Sequence, residues 1–369
     1  MMNIVCNKPD LLEGINIVLK AVPSHSTMSI LECMVLDAHE GVIKLITNDL
    51  EIGIETIIKG EIKAEGSVAI HAKVLSEIIR KLPDFPVNIQ VDDNQLMNIT
   101  CGKSKFNISG RSTEEFPFLP NIFRENKVKI SQFTLKEVIR QTVFSISDNE
   151  NNKLMTGELF EIDGNQFTVT SLDGHRISIR KIELKENYDH VKVVIPGKTL
   201  NEISKILTGG VEDEAEIYFT DKHVLFSFDN TIVLSRLIEG EYYKIEQMLS
   251  SDYETKLKLN KKELLSSIDR TTLLIKESDK KPVIMDIKDD FMKLSMKTAI
   301  GSMDEEIDVN KEGKDIMIGF NPRFLIDALR VIDDEEVDMY LINPKAPCFI
   351  KNEDETYIYL ILPVNFNVN

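Results

Sequence analysis

The sequence predicts an α+β protein built from three tandem copies of one domain. Short segments rich in Val, Ile and Phe predict strands, and two types of amphipathic segment, each occurring three times, predict helices. Matching segments keep a spacing close to 125 residues along the whole chain. Helices recurring among strands in this way are typical of antiparallel sheets with helices packed on one face.

The first helical type carries an apolar stripe along one side. Its members are residues 9–19, 134–144 and 261–273. In the first member, Leu12, Ile15 and Leu19 repeat at the three-to-four-residue spacing of a helix face. We therefore expect each of these helices to pack one side against a core.

The second helical type aligns more closely. Its members are AKVLSEIIRKL at 72–82, GKTLNEISKIL at 197–207 and PRFLIDALRVI at 322–332. Leu75, Leu200 and Leu325 follow one another at intervals of 125 residues, and Arg111 and Arg236 are also 125 residues apart. Because this period is too long for a solenoid repeat, we expect each copy to have its own hydrophobic core. The repeat therefore predicts three domains, at 1–125, 126–250 and 251–369.

Composition excludes several classes of protein. A net charge of −17 argues against a protein that coats nucleic acid through its whole surface. Charged residues interrupt the amino-terminal segment, and the longest apolar stretches are strand-sized, so we expect no signal peptide and no membrane partner. The cysteines show no metal-binding or disulfide spacing, which predicts buried thiols in a cytoplasmic protein; they are Cys6, Cys33, Cys101 and Cys348.

Positive charge is concentrated in the predicted helices. In five of the six helical segments, lysine and arginine outnumber the acidic residues. One interpretation is a shared surface that contacts DNA phosphates without reading sequence. The alternative is that lysine and arginine simply suit the exposed side of amphipathic helices. The candidate DNA-facing cations are Lys20, Lys73, Arg80, Lys81, Lys136, Arg140, Lys198, Lys205, Arg270, Arg323 and Arg330.

No segment predicts catalysis, a cofactor or a metal. Ser171, Asp173 and His175 are the residue types of a hydrolase triad, but the Asp-Gly pair predicts a turn and no nucleophile elbow accompanies them. The segment 101–104 resembles the end of a phosphate-binding loop, yet its first glycine is missing. The acidic run 333–336 lacks the alternating spacing of a calcium site.

Five segments resemble one known family. They are TNDLEIGIE at 47–55, GRSTEEFPFLP at 110–120, TSLDGHRISI at 170–179, SRLIEGEYYKIEQML at 235–249 and YLILPVNF at 359–366. With these segments in this order on a sequence that repeats three times, the chain resembles the β subunit of bacterial DNA polymerase III, the DNA sliding clamp, along essentially its whole length.

This resemblance implies three clamp-fold domains per chain and a head-to-tail homodimer that closes a ring. Antiparallel sheets would form the outside, and paired helices would line a central hole that encircles double-stranded DNA. The ring would tether the catalytic subunit of DNA polymerase III and other clamp-motif proteins, namely repair polymerases, ligase and mismatch-repair proteins. An ATP-driven clamp loader would open it, whereas the clamp itself needs no cofactor.

The resemblance also implies site residues. His25 takes a position that often faces DNA in the family, and Phe106 with Leu273 and Leu274 match the dimer interface. A partner peptide with a Gln-Leu start and an apolar pair such as Leu-Phe would enter one pocket between the second and third domains. The matching pocket positions are Met155, Gly174, His175, Arg176, Ile177, Tyr243, Gln247, Met248, Asn321, Phe324, Pro347, Leu360, Ile361, Leu362, Pro363, Val364 and Asn365.

Several positions depart from the family pattern. Tyr243 and the two residues after it stand where Pro, Asp or Asn and then Tyr are usual, while Gln247 and Asn365 each replace an arginine. Three alternatives therefore stay open: a divergent second clamp, a hydrolase using Asp173 and His175, and a sequence-specific DNA regulator. Retention on nicked circular DNA, with release once that DNA is linearised, separates a ring from the last two.

Overall fold

The structure is a computed structural model that describes residues 1–125, 127–249, 252–275 and 281–366. These residues form two compact units. The first unit contains residues 1–135 and 199–237, and the second contains residues 136–198 and the described chain from residue 238 onward. The division passes through the middle copy, and residues 126, 250 and 251, where the predicted domain boundaries fall, lie outside the described residues.

The described residues contain helices of 10 to 12 residues, two from each copy. They are α1 (Lys8–Val18), α2 (Ala72–Lys81), α3 (Gln132–Thr142), α4 (Gly197–Ile206), α5 (Lys261–Thr272) and α6 (Pro322–Val331). Both ends of α3 lie 124 residues after those of α1, and α2, α4 and α6 succeed one another at intervals of 125 residues at both ends. The predicted triplication of a helix pair is confirmed.

The buried stripe of α1 differs in detail from the prediction. Leu11, Ile15 and Val18 are fully buried, whereas Leu12 and Leu19 are only half-buried. Both sets satisfy helical spacing because apolar residues are adjacent in sequence at each end of the helix. Packing against the sheet, which the sequence pattern does not contain, selects between them.

The strands alternate with these helices along the chain. They are β1 (Met2–Cys6), β2 (Cys33–His39), β3 (Val42–Asn48), β4 (Ile52–Ile58), β5 (Glu61–Ala64), β6 (Gly66–His71), β7 (Val87–Val91), β8 (Leu96–Cys101), β9 (Ser104–Ser109), β10 (Val128–Ser131), β11 (Gly157–Leu172), β12 (Arg176–Pro196), β13 (Glu214–Phe219), β14 (His223–Phe228), β15 (Thr231–Arg236), β16 (Thr255–Asn260), β17 (Val283–Lys288), β18 (Phe291–Lys297), β19 (Ser302–Asp308), β20 (Asn310–Gly313), β21 (Ile316–Phe320), β22 (Glu336–Leu341), β23 (Cys348–Lys351) and β24 (Tyr357–Ile361).

Each unit contains two sheets, and the strand pairs we describe are antiparallel. In the first unit the sheet orders are β5-β1-β7-β8-β9 and β10-β13-β14-β15-β4-β3-β2-β6. In the second unit they are β11-β12-β24-β23-β22-β16-β20 and β19-β18-β17-β21. One sheet in each unit joins strands of neighbouring copies, through the pairs β4–β15 and β12–β24. The predicted α+β class with antiparallel sheets is confirmed.

The middle copy follows the same path with fewer breaks. β11 has 16 residues and spans the positions that match β2 and β3, while β12 has 21 residues and spans those that match β4, β5 and β6. Gly164, with a φ of +61°, lies at the irregularity that replaces the turn between β2 and β3. In the described residues, each copy therefore holds nine strand segments.

The four cysteines lie in the cores of these sheets as free thiols. Burial raises the pKa of Cys6 to about 11, and burial also raises the pKa of Cys348. Neither thiol is therefore primed to act as a nucleophile, since the thiolate is the reactive form.

Candidate functional site

A tight turn brings the start of β12 to the centre of the predicted peptide pocket. Gly174 has a φ of +87°, which glycine adopts without strain. The Oδ1 atom of Asp173 accepts the backbone N–H groups of His175 at 2.9 Å and of Arg176 at 3.1 Å. The turn therefore fixes where His175 and Arg176 leave the sheet.

Arg176 is enclosed by protein on every side of its guanidinium group. Its Nε donates to Asp173 Oδ2 at 3.0 Å, and its Nη1 donates to Asp327 Oδ2 on α6 at 2.7 Å. Nη2 donates to the carbonyl of Phe144 at 2.6 Å. The rings of Phe144 and Phe324 lie 5.4 and 4.5 Å from the guanidinium carbon. Arg176 therefore anchors α6 to the start of β12 and is not a free cation on a surface.

His175 lies beside that anchor and remains exposed. Its ring stacks on Phe324 with 6.0 Å between centroids. Phe324 belongs to the first turn of α6, and Asn321 caps this helix by accepting the N–H of Arg323 at 3.1 Å. The two rings form one wall of the candidate pocket.

The carboxy-terminal segment passes directly over this wall. The N–H of Leu362 donates to the His175 carbonyl at 2.8 Å, and the N–H of Val364 donates to the Gly319 carbonyl at 2.7 Å. Leu362 is 37% exposed, Pro363 and Val364 are half-buried, and Asn365 is exposed. Ile361 instead points into the core formed by the third copy.

An apolar cluster lies beneath the segment. It brings together Ile177 and Leu360, with Met155 packed against them from the partly exposed side. The remaining buried members of this cluster are Leu159, Leu172, Ile179, Val194, Tyr242, Ile245, Phe349 and Ile358. Three predicted pocket residues from separate parts of the chain therefore share one apolar floor.

The rim is exposed and more polar. Met248 is 53% exposed, Gln247 is exposed, and Pro347 is half-buried just before β23. Tyr243 is 37% exposed, and its hydroxyl accepts a hydrogen bond from Asn152 Nδ2 at 2.6 Å. Asn152 was missed by the sequence reasoning, because this contact joins positions 91 residues apart.

The candidate DNA-facing cations differ in their surroundings. Polar contacts join Arg140 to Glu137 and Asp333, Arg270 to Glu305, Lys205 to Glu202, Arg330 to Asp269, Lys73 to the Ser24 carbonyl, and Arg80 to Ser76. Carboxylates hold the pKa of Arg140 and of Arg270 above the usual arginine value, chiefly through the side-chain hydrogen bonds that these arginines donate to Glu137 and Glu305. Of the others, His25, Lys81, Lys198 and Arg323 are exposed, and Lys20 and Lys136 are half-buried.

Comparison with known proteins identifies the family. Models of the amino-terminal, central and carboxy-terminal domains of the DNA polymerase III beta subunit match residues 2–120, 129–244 and 246–365. The beta sliding clamp of Staphylococcus aureus is 33% identical over 99% of both chains. The chain belongs to the DNA polymerase III beta subunit family.

Solved structures of beta subunits agree with this assignment. The DNA polymerase sliding clamp of Bacillus subtilis superposes with a TM-score of 0.95 at 33% identity, over 99% of this chain and 100% of that one. A chain from Eubacterium rectale, assigned to the beta subunit, superposes with a TM-score of 0.96 at 61% identity and the same coverage. The resemblance drawn from the sequence is confirmed, and so is the clamp fold.

The residues that the resemblance assigns to a dimer interface include two exposed apolar side chains, Phe106 and Leu273. Phe106 is 39% exposed on β9, the last strand of its sheet, beside Lys105. Leu273 is 80% exposed just after α5, while Leu274 packs against the core of the third copy. β19, the last strand of the other sheet, presents Asp304, Glu306 and Asp308 on its exposed face.

The hydrolase alternative finds no support in this beta subunit. Ser171 is buried and its hydroxyl donates to the Thr142 carbonyl at 2.5 Å, while Asp173 is engaged by Arg176. The His175 ring stacks on Phe324, and it is the backbone N–H of His175, not the ring, that donates to Asp173. Among the described residues, no group of His, Cys, Asp and Glu side chains could hold a metal ion. Within the same part of the chain, no helix is both long and apolar enough to cross a bilayer.

Proposed function

We propose that two copies of this chain close head to tail into a ring that encircles double-stranded DNA and tethers the catalytic subunit of DNA polymerase III. The observation that carries the proposal is the match to sliding clamps over 99% of the chain, on a frame with two helices in each of three copies. The ring acts by topology: a bound polymerase stays near the primer end at a high effective concentration. In this proposal the chain itself catalyses no reaction.

The three copies act as domains with boundaries at 1–125, 126–250 and 251–369. Support comes from the family models, which begin and end within a few residues of these limits. The pairs β4–β15 and β12–β24 join neighbouring copies through continuous sheets.

The dimer forms where the edge of β9 meets the edge of β19 of a second copy. β9 is flanked by Lys103 and carries Lys105, whereas β19 exposes Asp304, Glu306 and Asp308. Opposite charges across the edges favour this pairing over like-with-like pairing. Phe106 then meets Leu273 and Leu274 as an apolar plug. A head-to-tail contact used twice closes the ring.

The helices face DNA phosphates and the sheets face solvent. Exposed cations such as Lys81 and Arg323 make weak contacts that carry no sequence information. These contacts hold the duplex near the centre of the hole and permit sliding. The paired cations, including Arg140 and Arg270, contribute less because carboxylates already neutralise them.

Partner proteins insert a short apolar peptide into the pocket around His175. Its floor is Met155, Ile177 and Leu360, and its wall is His175 stacked on Phe324. Burial of apolar side chains supplies ~25 cal/mol per Å² of surface, so such a floor suits an apolar anchor pair. Repair polymerases, ligase, mismatch-repair proteins and the ATP-driven loader share this site, and the protein works in the cytoplasm.

The alternatives of a divergent second clamp and of a sequence-specific DNA regulator find no support in the comparisons with sliding clamps.

Retention on circular DNA tests the ring. The full-length protein is loaded onto nicked circular DNA with a clamp loader, and the DNA is then linearised. We expect retention before cleavage and rapid loss afterwards, since only an encircling protein leaves through an end. Equal retention on both forms contradicts encirclement and indicates ordinary binding.

A further inference from the structure

The last described residues form a strap across the candidate pocket. β24 ends at Ile361, and the chain continues in extended form to Phe366. One strap hydrogen bond, from Leu362, reaches the start of β12, and the next, from Val364, reaches Gly319 on β21. The strap therefore joins two different sheets of the second unit. Phe324, on α6, lies only a few residues after Gly319 in the sequence.

Gly319 provides the space in which the strap ends. A Cβ atom at this position would lie 2.7 Å from Cδ1 and 3.1 Å from Cε1 of the Phe366 ring. It would also lie 3.2 Å from the Val364 carbonyl oxygen. Real Cβ atoms essentially never approach another heavy atom within 3.0 Å, so the ring occupies the volume that any other residue's Cβ would take. The Phe366 ring therefore packs directly against the backbone of Gly319.

We infer that Phe366, seated on Gly319, is a positioning residue that holds the strap against the peptide pocket. The inference rests on the proposed peptide site. Strap and pocket share two groups directly: the His175 carbonyl accepts the Leu362 N–H, and the His175 ring stacks on Phe324. Without the Phe366 anchor, the strap keeps the backbone hydrogen bonds from Leu362 and Val364 but loses its packing on Gly319. It then samples other positions, and a partner peptide has to order it on binding.

The seating also explains a feature of the pocket that floor residues alone do not. Leu362 is 37% exposed although it follows the fully buried Ile361 directly. Two hydrogen bonds on one edge of the strap, from Leu362 and Val364, turn the edge that carries Asn365 outward. A fixed strap thus presents the partly exposed Leu362 side chain to a peptide.

The test uses full-length protein with Phe366→Ala, Gly319→Ala and the double variant. Binding of the peptide Gln-Leu-Ser-Leu-Phe is measured by isothermal titration calorimetry. We expect each single change to weaken binding about ten-fold, because a loosened segment must be ordered on binding. The double variant should bind no worse than either single one, since both changes remove the same contact. Phe366→Leu should recover most of the affinity because it keeps an apolar anchor.

Hydrogen exchange of the amides in 362–366 gives a readout independent of the peptide. Exchange at Val364 should accelerate in Phe366→Ala and Gly319→Ala. Gly210→Ala serves as control, because a Cβ there would meet nothing closer than 3.7 Å, and it should change neither quantity. Unchanged exchange and unchanged affinity in Phe366→Ala overturn the inference. If the wild type fails to bind the peptide while exchange still accelerates, the proposed peptide site fails and the anchoring role stands.

Discussion

Arg140 and Asp333 form an ion pair, with 2.9 Å between Nη2 and Oδ2, that ties α3 to the residues following α6. Glu137 holds the same guanidinium at 2.5 Å. The positions one repeat earlier are Asn16 in the first copy, 124 residues before Arg140, and Thr208 in the second copy, 125 residues before Asp333. Asparagine and threonine are too short for such a bridge, and a groove of about 740 Å³, lined by both of them, lies there in the first unit. An ion pair therefore bridges this position in the second unit, whereas the equivalent position in the first unit is an open groove.

The first prediction concerns which cations contact DNA. Replacing Arg80, Lys198 and Arg323 by Glu should lower loading onto nicked circular DNA without creating a sequence preference. Removing one phosphate-binding cation should reduce the salt slope of DNA binding by about one. The ring of two chains carries each substitution twice, so the triple variant should show a slope smaller by up to about six. Titration of fluorescent duplex DNA at several salt concentrations measures this.

Arg140→Ala is the comparison variant. Since Glu137 and Asp333 already neutralise Arg140, its removal should leave the salt slope close to that of the wild type. A triple variant that loads and slides normally would show that these helices do not face DNA.

The second prediction concerns the dimer interface. Two double variants reverse the charge of one edge each. The variant Lys103→Glu with Lys105→Glu should be repelled by the acidic edge of β19. The variant Glu306→Lys with Asp308→Lys should be repelled by the basic edge of β9. Each double variant should sediment as a folded monomer near the chain mass of 42 kDa. In an equimolar mixture, both contacts of a mixed pair join a basic edge to an acidic edge, so closed heterodimers should form.

Leu273→Ala with Leu274→Ala tests the apolar part of the same contact. This variant should remain folded, because Leu273 is 80% exposed, and it should be monomeric and unable to stay on circular DNA. Sedimentation as the wild-type dimer would refute the interface assignment.

The helices could be predicted from sequence because their signals are local and repeated. Leu75, Leu200 and Leu325 each stand among apolar residues at helical spacing, and this pattern recurs in each copy. Packing against the sheets decides only which of the adjacent apolar residues are buried. Family motifs, not periodicity, led to the pocket residues. The contacts that position the pocket residues could not be predicted, because they join distant parts of the chain. Asp327 lies 151 residues from its partner Arg176. The packing of the strap on Gly319 depends on which strand lies at the sheet edge, and the sequence pattern does not give this.

The third prediction concerns the buried carboxyl group of Glu158. The side chain is fully buried, and neither oxygen has a hydrogen-bond partner in the described part of the chain. Burial raises its pKa well above the usual value. The unfolded chain ionises Glu158 above its ordinary pKa while the folded chain keeps it neutral, so stability is lost as pH rises from that value toward the folded pKa. The loss should approach 1.4 kcal/mol per pH unit, roughly, in this window.

Glu158→Gln removes this linkage without changing the side-chain shape. Urea midpoints of both proteins should be similar at pH 4 to 5, roughly where the unfolded carboxyl begins to ionise, and the variant should be the more stable one at neutral pH. Parallel pH profiles for the two proteins would show that Glu158 finds a partner or water on ionisation.

The last prediction concerns Arg176, whose side chain is only 11% exposed between two carboxylates and two aromatic rings. Removing one partner from a buried ion pair leaves uncompensated charge, so Arg176→Ala should lower the free energy of unfolding by about 3 kcal/mol. Arg176→Lys should recover only part of this, because an ammonium group cannot reach Asp173, Asp327 and the Phe144 carbonyl at once. A double-mutant cycle with Asp327→Asn, followed by urea unfolding and by titration with the Gln-Leu-Ser-Leu-Phe peptide, separates stability from pocket shape. Strong coupling in unfolding together with weaker peptide binding in Arg176→Ala supports an anchor that shapes the wall made by His175 and Phe324. Additive losses in the cycle would mean that Asp327 does not hold Arg176 in solution.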